Sequence, residues 1–530
     1  MRKIFILCLL AFPFYLIGQV FPTESIENVK RRLNYIDDPS SKSLQKHIFY
    51  SDDSLQSNHV SLNPNSDRIQ IVNPQLSTFY NSKYNYGYND GPIWKGKGLT
   101  STLFTGFQGK FGNLYFTVAP YLLFSQNSDF QLANTQIDNK NKYNYQFNII
   151  GDLDFVQRYG DASFTQFYPG QTELRFKTNS INIGFSTANY TIGPSVVFPL
   201  LMSNQGLGIP RFEIGTNDFI ELSVNAKKIG SLDANITYGL LEESSYFDNK
   251  SNNNQRYFTS LSLHYMIPSY KTLILGINRV FYTQMKNFQT KDLFRTVGYY
   301  TNTDLIPDST NGFSNDLSDQ IISFDLDWII DEADLRLYVE FARNDFFGSS
   351  RDLFVDLEHS RAYNLGIEKN FNNKSGNLLI NYEFTNLSRA QSFHYRLAPT
   401  MYLHYIANQG YTHQGQLLGA GIGPGSNSHH FSIAQISDTF ILQFLLQRVQ
   451  FDNDYLIETY SEWPNFQSGV NANRIFVEYS ITSRIGFSYK NLRIAADLAV
   501  SKQLNFYYQM FQDRTNFQPG LSLTYNLNHR

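Results

Sequence analysis

Residues 322–341 read ISFDLDWIIDEADLRLYVEF. Ile322, Phe324, Leu326, Trp328 and Ile330 alternate with Ser323, Asp325 and Asp327. Leu335, Leu337, Val339 and Phe341 then alternate with Arg336, Tyr338 and Glu340. A period of two sends successive side chains to opposite faces of a sheet. One face here is continuously apolar, and the other carries ionisable groups. The rhythm recurs from about residue 78 to the end. Leu378, Ile380, Tyr382 and Phe384 alternate with Asn381 and Glu383. Leu492, Ile494, Ala496 and Leu498 alternate with Arg493 and Asp497, and Leu521, Leu523 and Tyr525 close the series. Many runs last about 9–11 residues, the length of a tilted membrane strand.

A soluble sandwich would alternate too, with its apolar face inward. The number and length of the runs, the Tyr and Phe at their ends, and an export signal favour a membrane barrel instead. Lipid cannot hydrogen-bond a backbone, so only a closed sheet is tolerated there. The pattern predicts an all-β fold, a transmembrane antiparallel β-barrel; the runs count to about 16 to 18 strands, and about 18 is taken, since bacterial barrels have even numbers.

Composition agrees. The 530 residues include 45 Phe, 36 Tyr and 3 Trp, 16% aromatic in all. The charged fraction is 17%, against roughly 25% in ordinary soluble proteins. Mean hydropathy is −0.34, so the chain is not apolar on average. Past residue 20 there is no apolar run of the about 20 residues that a membrane helix needs. A formal net charge of −3 with no long basic run argues against nucleic acid as a partner.

Residues 1–18 read as a secretory signal peptide. Arg2 and Lys3 precede an apolar run from Ile4 to Ile17, and Gly18-Gln19 offers a small-residue cleavage point. The only cysteine, Cys8, falls inside it, so no disulfide framework or cysteine site is expected afterwards. Residues 19–77 read as a periplasmic extension, helical in part or disordered. Ser25–Leu33 and Ser41–Phe49 are its helix candidates. Residues 78–530 are assigned to the barrel. Gly112-Asn113, Lys228-Ile229-Gly230 and Lys490-Asn491 read as short turns. Ala188–Asp218, Tyr282–Asp319 and Asn386–His429 are long connections, either external or folded into the lumen.

No compact catalytic or metal constellation emerges. His404, His413, His429 and His430 cluster along the chain, but at no metal-ligand spacing. Asp325, Asp327, Arg336, Glu340, Glu383 and Arg493 face the lumen by parity. Paired carboxylates can hydrolyse glycosides, but a water-facing ion-pair lattice explains these better. GAGIGPG at Gly419–Gly425 lacks the Lys-Ser/Thr of a phosphate loop and reads as tight backbone. No enzyme activity and no cofactor is expected. The best binding signal is YNYGYNDGPIW, which sets Tyr84, Tyr86, Tyr88, Asp90 and Trp94 within eleven residues. Rings cover the C–H faces of sugars while Asn and Asp bond their hydroxyls. A membrane-interface girdle is the bland alternative.

Four segments resemble the capsule assembly Wzi family in its Bacteroidetes-type form. They are GYNDGPIWKGKGL (87–99), GFSTANYTIGPSVVFPLLMSNQGLGIPRFEIGTN (184–217), NDFFGSSRDLFVDLEHSRAYNLGI (344–367) and QGYTHQGQLLGAGIGPGSN (409–427). Tyr190 stands where the family favours Trp before Gly-Pro. The resemblance implies an outer-membrane barrel of about 18 strands in a Gram-negative envelope. It also implies a periplasmic helical element and a lectin-like role in holding capsular or extracellular polysaccharide at the cell surface. Tyr190, Tyr402, Tyr411 and His413 join the aromatic cluster as candidate polysaccharide contacts. The partners expected are that polysaccharide and outer-membrane lipid, with a monomer as the acting unit. The runner-up reading is a porin for small solutes or oligosaccharides. A structural part of a secretion or gliding machine is a third.

Overall fold

The computed structural model describes residues 68–134, 141–145, 153–248, 250–268, 272–298, 317–344, 354–394, 396, 398–404, 407–437, 439–460 and 470–527. Short N-terminal pieces at 19–20, 29–30, 32–33, 36, 45–47 and 49–50 are also described. The signal peptide expected at residues 1–18 lies outside the described residues.

Eighteen antiparallel strands close into a barrel. They are β1 (Arg68–Asn81), β2 (Gly98–Phe111), β3 (Leu114–Val118 with Tyr121–Ser125), β4 (Phe164–Tyr168 with Glu173–Lys177), β5 (Ile181–Ser186) and β6 (Arg211–Thr216 with Ile220–Val224). Then come β7 (Lys227–Glu242), β8 (Gln255–Met266), β9 (Leu273–Gln284), β10 (Ser318–Ile330), β11 (Leu335–Asn344) and β12 (Arg361–Asn373). The last six are β13 (Gly376–Asn386), β14 (Asn427–Ile436), β15 (Phe440–Gln450), β16 (Val477–Tyr489), β17 (Leu492–Leu504) and β18 (Arg514–Tyr525). Strands β3, β4 and β6 are each broken in two: both pieces of β3 pair with β2 and β4, both pieces of β4 with β3, and both pieces of β6 with β7. The sheet closes where β18 pairs with β1, for example Leu521 opposite Thr78.

Three expectations need correction. The barrel begins at Arg68, ten residues before the expected boundary at 78. Asn73-Pro74 hides it: the register slips between Val72 and Gln75, because Pro74 has no N–H to give the ladder. The turn expected at Lys228–Gly230 is instead at Asn225–Ala226, both at positive φ, and Ile229 is an extra residue bulging within β7. Finally, Gln45–His47 is not helical. It is a short strand paired with Tyr190–Ile192.

The ends of the barrel differ. Tight turns such as Gly112–Asn113, Asp331–Asp334 and Lys490–Asn491 close one end. Segments 82–97, 187–210, 387–426 and 451–476 leave the other. Bacterial barrels keep short turns in the periplasm and long loops outside. The outward positions of the opening sequence face the lipid side: Phe324 is 40% exposed, while Asp325 beside it is 5%.

The inward face is tiered along the axis. Near the long loops it is apolar, with Phe258, Val280, Ile321 and Val449 buried. In the middle it carries Asp325, Asp327, Arg336, Glu340 and Glu383. Near the tight turns it is apolar again, with Ile329, Leu379, Ile436 and Ile441. Each tier has an occupant. Leu200, Leu201, Met202, Tyr402, Tyr411 and Leu418 from segments 187–210 and 387–426 pack on the upper tier as one core. Val29, Leu33 and Ile36, in helical conformation, pack on the lower one. Of the helix expected at 25–33, the described residues Val29 and Leu33 thus sit inside the short-turn mouth, and residues 25–28 lie outside the described residues.

The middle tier holds the loops by charge. Glu340 accepts backbone N–H bonds from Ser195 and Leu200, both at 2.8 Å. Glu383 accepts from the N–H groups of Val196 (2.9 Å), Val197 (3.0 Å) and Phe198 (2.8 Å). Its oxygens also accept from Ser195 Oγ, Tyr338 Oη and Asn364 Nδ2. Gly193, at φ +104°, lets the loop descend here, since a Cβ would strike the Glu340 carboxylate. Arg336 pairs with Asp327 and Glu368 at 2.7 Å and donates to the Pro194 carbonyl. Arg32 reaches Glu368 from the N-terminal segment.

Replacing Glu383 by Ala strips the acceptor from three loop amides. We expect a loss of about 3 kcal/mol, read as a lower midpoint in heat-modified gel mobility. Glu383→Gln, which keeps one acceptor oxygen, should lose less. Equal midpoints for wild type and Glu383→Ala would contradict the clamp.

Candidate functional site

Segment 82–97, between β1 and β2, is tied down at both of its edges. Asn89 adopts φ +56° and donates through Nδ2 to the Val197 carbonyl at 2.7 Å. Gly91 N donates to the Asn204 carbonyl at 2.7 Å, and Asn204 Nδ2 donates back to the Asn89 carbonyl at 2.8 Å. On the wall side, Asn81 Nδ2 donates to the Lys95 carbonyl at 2.9 Å. Tyr88 Oη donates to Glu478 Oε1 on β16 at 2.9 Å. The segment thus bridges the plug and the barrel wall.

A cleft opens along this bridge. Counted out to the solvent at its mouth, it holds about 1100 Å³ of empty space. Tyr86, Tyr88, Asp90 and Trp94 line it, as the sequence cluster suggested. Tyr86 meets Tyr88 edge-on at 5.9 Å, Tyr88 meets Phe198 at 5.8 Å, and Trp94 meets Tyr159 at 5.0 Å. These contacts fix the rings before any ligand arrives. Burial and the neighbouring Glu478 carboxylate push the Tyr88 phenol up, so it stays a hydrogen-bond donor at neutral pH.

The other candidates lie elsewhere. Tyr84 is buried behind the cleft wall, its Oη 2.8 Å from Ser501 Oγ and its ring 4.5 Å from the Arg514 guanidinium. Tyr190 is buried beneath Arg211, 4.1 Å from its ring. Tyr411 is buried between Tyr402 and Tyr282, at 5.9 and 5.5 Å. Tyr402 Oη donates to the Leu200 carbonyl at 2.8 Å and accepts from Ala420 N at 2.9 Å, which joins the two plug segments. His413 is buried too, and its Nδ1 accepts from Glu242 N at 3.0 Å. Tyr190, Tyr402, Tyr411 and His413 therefore build the plug rather than the cleft surface. Asp325, Asp327, Arg336, Glu340 and Glu383 do face inward, but all are buried: Arg336, Glu340 and Glu383 bond residues 194–200 of the plug, while Asp325 and Asp327 are held by Asn278 and Arg336 on the wall. Arg493 lies half-buried near the tight-turn end.

Sequence reasoning missed the opposite side of the cleft. Phe451, Phe476, Tyr507 and Tyr508 supply rings there, and Tyr145 and Phe155 supply two more. Gln205, Gln416, Gln503 and Arg514 add polar groups. One signal was available. The run FYYQMF at 506–511 interrupts the alternation between β17 and β18, and its aromatics are too dense for a turn.

No family model matches the sequence, and no curated protein does. Solved structures do resemble the fold. Wzi of Escherichia coli, described as a carbohydrate-binding β-barrel of the outer membrane involved in group 1 capsule assembly, aligns with a TM-score of 0.56 at 11% identity. The alignment covers 86% of this chain and 85% of that one. OccAB3 of Acinetobacter baumannii aligns at 0.40 and 12% identity, over 87% and 98% of the two chains. OccK8 (OprE) of Pseudomonas aeruginosa aligns at 0.39 and 11%, over 87% and 97%. The fold is that of the 18-stranded outer-membrane barrels.

One titration should be visible. Burial and the Arg256 guanidinium push His413 down to about 3. A depressed histidine favours the folded state above its unfolded value near 6.5, and that stability is lost as pH falls from there toward 3. His413→Asn keeps an acceptor for Glu242 N and cannot titrate. The gap between variant and wild-type melting midpoints should shift in the variant's favour between roughly pH 6.5 and 4. A gap that stays constant over that range would refute the assignment.

Proposed function

We propose that this barrel is a non-enzymatic surface receptor that helps hold a capsular or other exported polysaccharide at the cell. The observation that carries this reading is the ring-lined cleft at the long-loop mouth. The rings present flat apolar faces, and amides stand among them. Sugar rings offer the complementary pattern of C–H faces and hydroxyl edges. The Escherichia coli structure of the same fold is of a protein described as carbohydrate-binding, which is consistent with such a role. A single cleft of this kind binds a sugar unit weakly. A repeating polymer that engages many copies gains avidity without any new contact.

The plug supports the same reading over a porin. Among the described residues, the upper tier of the lumen is packed apolar core, with Tyr282, Met401, Leu417 and Ala420 fully or almost fully buried.

Two measurements test the proposal. Deletion of the gene should release the polysaccharide into the medium, and the Tyr86→Ala/Trp94→Ala double variant should retain about a tenth or less of the wild-type binding. Purified protein in planar bilayers should pass no large ohmic current. A capsule that stays fully attached after deletion would sink the receptor reading, and a steady large conductance would favour the porin.

A further inference from the structure

We propose that the segment of glycan taken by this cleft is uncharged, a run of neutral sugar rings rather than uronic-acid or phosphate-bearing units. The inference rests on the polysaccharide reading above and adds the chemical class of the ligand.

Four side chains that carry charge line the cleft: Asp90, Lys95, Glu478 and Arg514. Lys95 Nζ is 2.7 Å from Asp90 Oδ1 and sits 4.1 Å over the Phe79 ring. Glu478 accepts from Tyr88 Oη at 2.9 Å through one oxygen and from Gln503 Nε2 at 2.7 Å through the other. The Arg514 guanidinium is 3.4 Å from the Phe506 ring centroid and 4.5 Å from that of Tyr84. Its Nε donates to Gln503 Oε1 at 2.6 Å and its Nη1 to the Gln131 carbonyl at 3.0 Å. Two cations thus stand with two carboxylates, and each is engaged within the chain.

An anionic sugar gains little in such a place. It would have to shed its own hydration and draw Lys95 from Asp90 or Arg514 from its rings. Removing one partner of a buried pair leaves the other uncompensated and is costly. The Asp90 and Glu478 carboxylates would repel it as well. A neutral ring meets no such cost. It stacks on an aromatic face, and its hydroxyls can exchange hydrogen bonds with the amides of Asn85, Gln205 and Gln416, which line the cleft without carrying charge.

The test uses the full chain in detergent micelles on an array of printed bacterial glycans, neutral and acidic, at roughly 50 and 500 mM NaCl. Added salt screens exposed charge pairs strongly and leaves ring stacking nearly untouched. Binding should fall on neutral glycans, change less than about two-fold with salt, drop about ten-fold or more in Tyr86→Ala and survive in Tyr86→Phe. Heat-modified mobility confirms that both variants are folded. Binding confined to acidic glycans, weakened about ten-fold by salt and lost in Lys95→Gln, would overturn the neutral assignment and leave the polysaccharide reading standing. Neutral binding indifferent to Tyr86→Ala would also overturn the proposal, because it would place the ligand elsewhere. Silence on every glycan would remove both readings.

Discussion

Two carboxylates on the barrel wall organise the interior. Glu340 and Glu383 stand on β11 and β13 and between them accept five consecutive or nearly consecutive loop amides, from Ser195 to Leu200. A buried carboxylate is costly unless its oxygens are satisfied, and a buried loop is costly unless its N–H groups are. Each removes the other's penalty. Arg336 completes the arrangement by taking the Pro194 carbonyl and two further wall carboxylates. Once residues 194–200 are fixed, Tyr402 can bond Leu200, and Asn89 can bond Val197. The cleft stands at the end of that chain of contacts.

The barrel has two apolar surfaces to cover rather than one. Lipid covers the outside. Inside, the upper and lower tiers are covered by the plug segments and by Val29, Leu33 and Ile36. The polar middle tier separates them and sets the depth of the plug. A barrel of this width would otherwise enclose a channel. Here its own loops fill the upper lumen and contribute rings to the cleft beside it. The aromatic excess of the chain is thereby divided. Some rings face lipid, such as Phe107, Phe167 and Phe185, and others, such as Tyr402 and Tyr411, brace the plug. A third group lines the cleft.

Much of this was legible residue by residue. The alternation at 322–341 predicts β10 and β11 and which side chains face inward. It also carries a subtler signal. Ile321-Ile322, Ile329-Ile330 and Leu378-Leu379 are apolar doublets that break the period of two. Each puts one apolar residue inward, and Ile321, Ile329 and Leu379 are the residues on which the plug and the N-terminal segment rest. The candidate site was half legible. Tyr86, Tyr88, Asp90 and Trp94 stand close together in the chain and line one side of the cleft. The other side is gathered from separate stretches, from Tyr145 and Phe155 to Phe451, Phe476, Tyr507 and Tyr508, and of these only the dense aromatics at 506–511 stand out locally.

The alternation along the chain predicts a closed sheet of about 16 to 18 strands and its lipid-facing side; the count of eighteen comes from the fold. Those properties follow from a local period and from the inability of hydrocarbon to bond a backbone. What the inward polar residues do follows from long-range packing. Read alone, Glu340 and Glu383 are water-facing lumen groups. In the fold they grip a loop that lies about 140 to 190 residues earlier in the chain. Read alone, Tyr190, Tyr411 and His413 are ligand candidates, whereas in the fold they are buried. The reason is the same in each case. Which groups lose their water depends on how distant segments pack, and that packing has no period for a sequence to display.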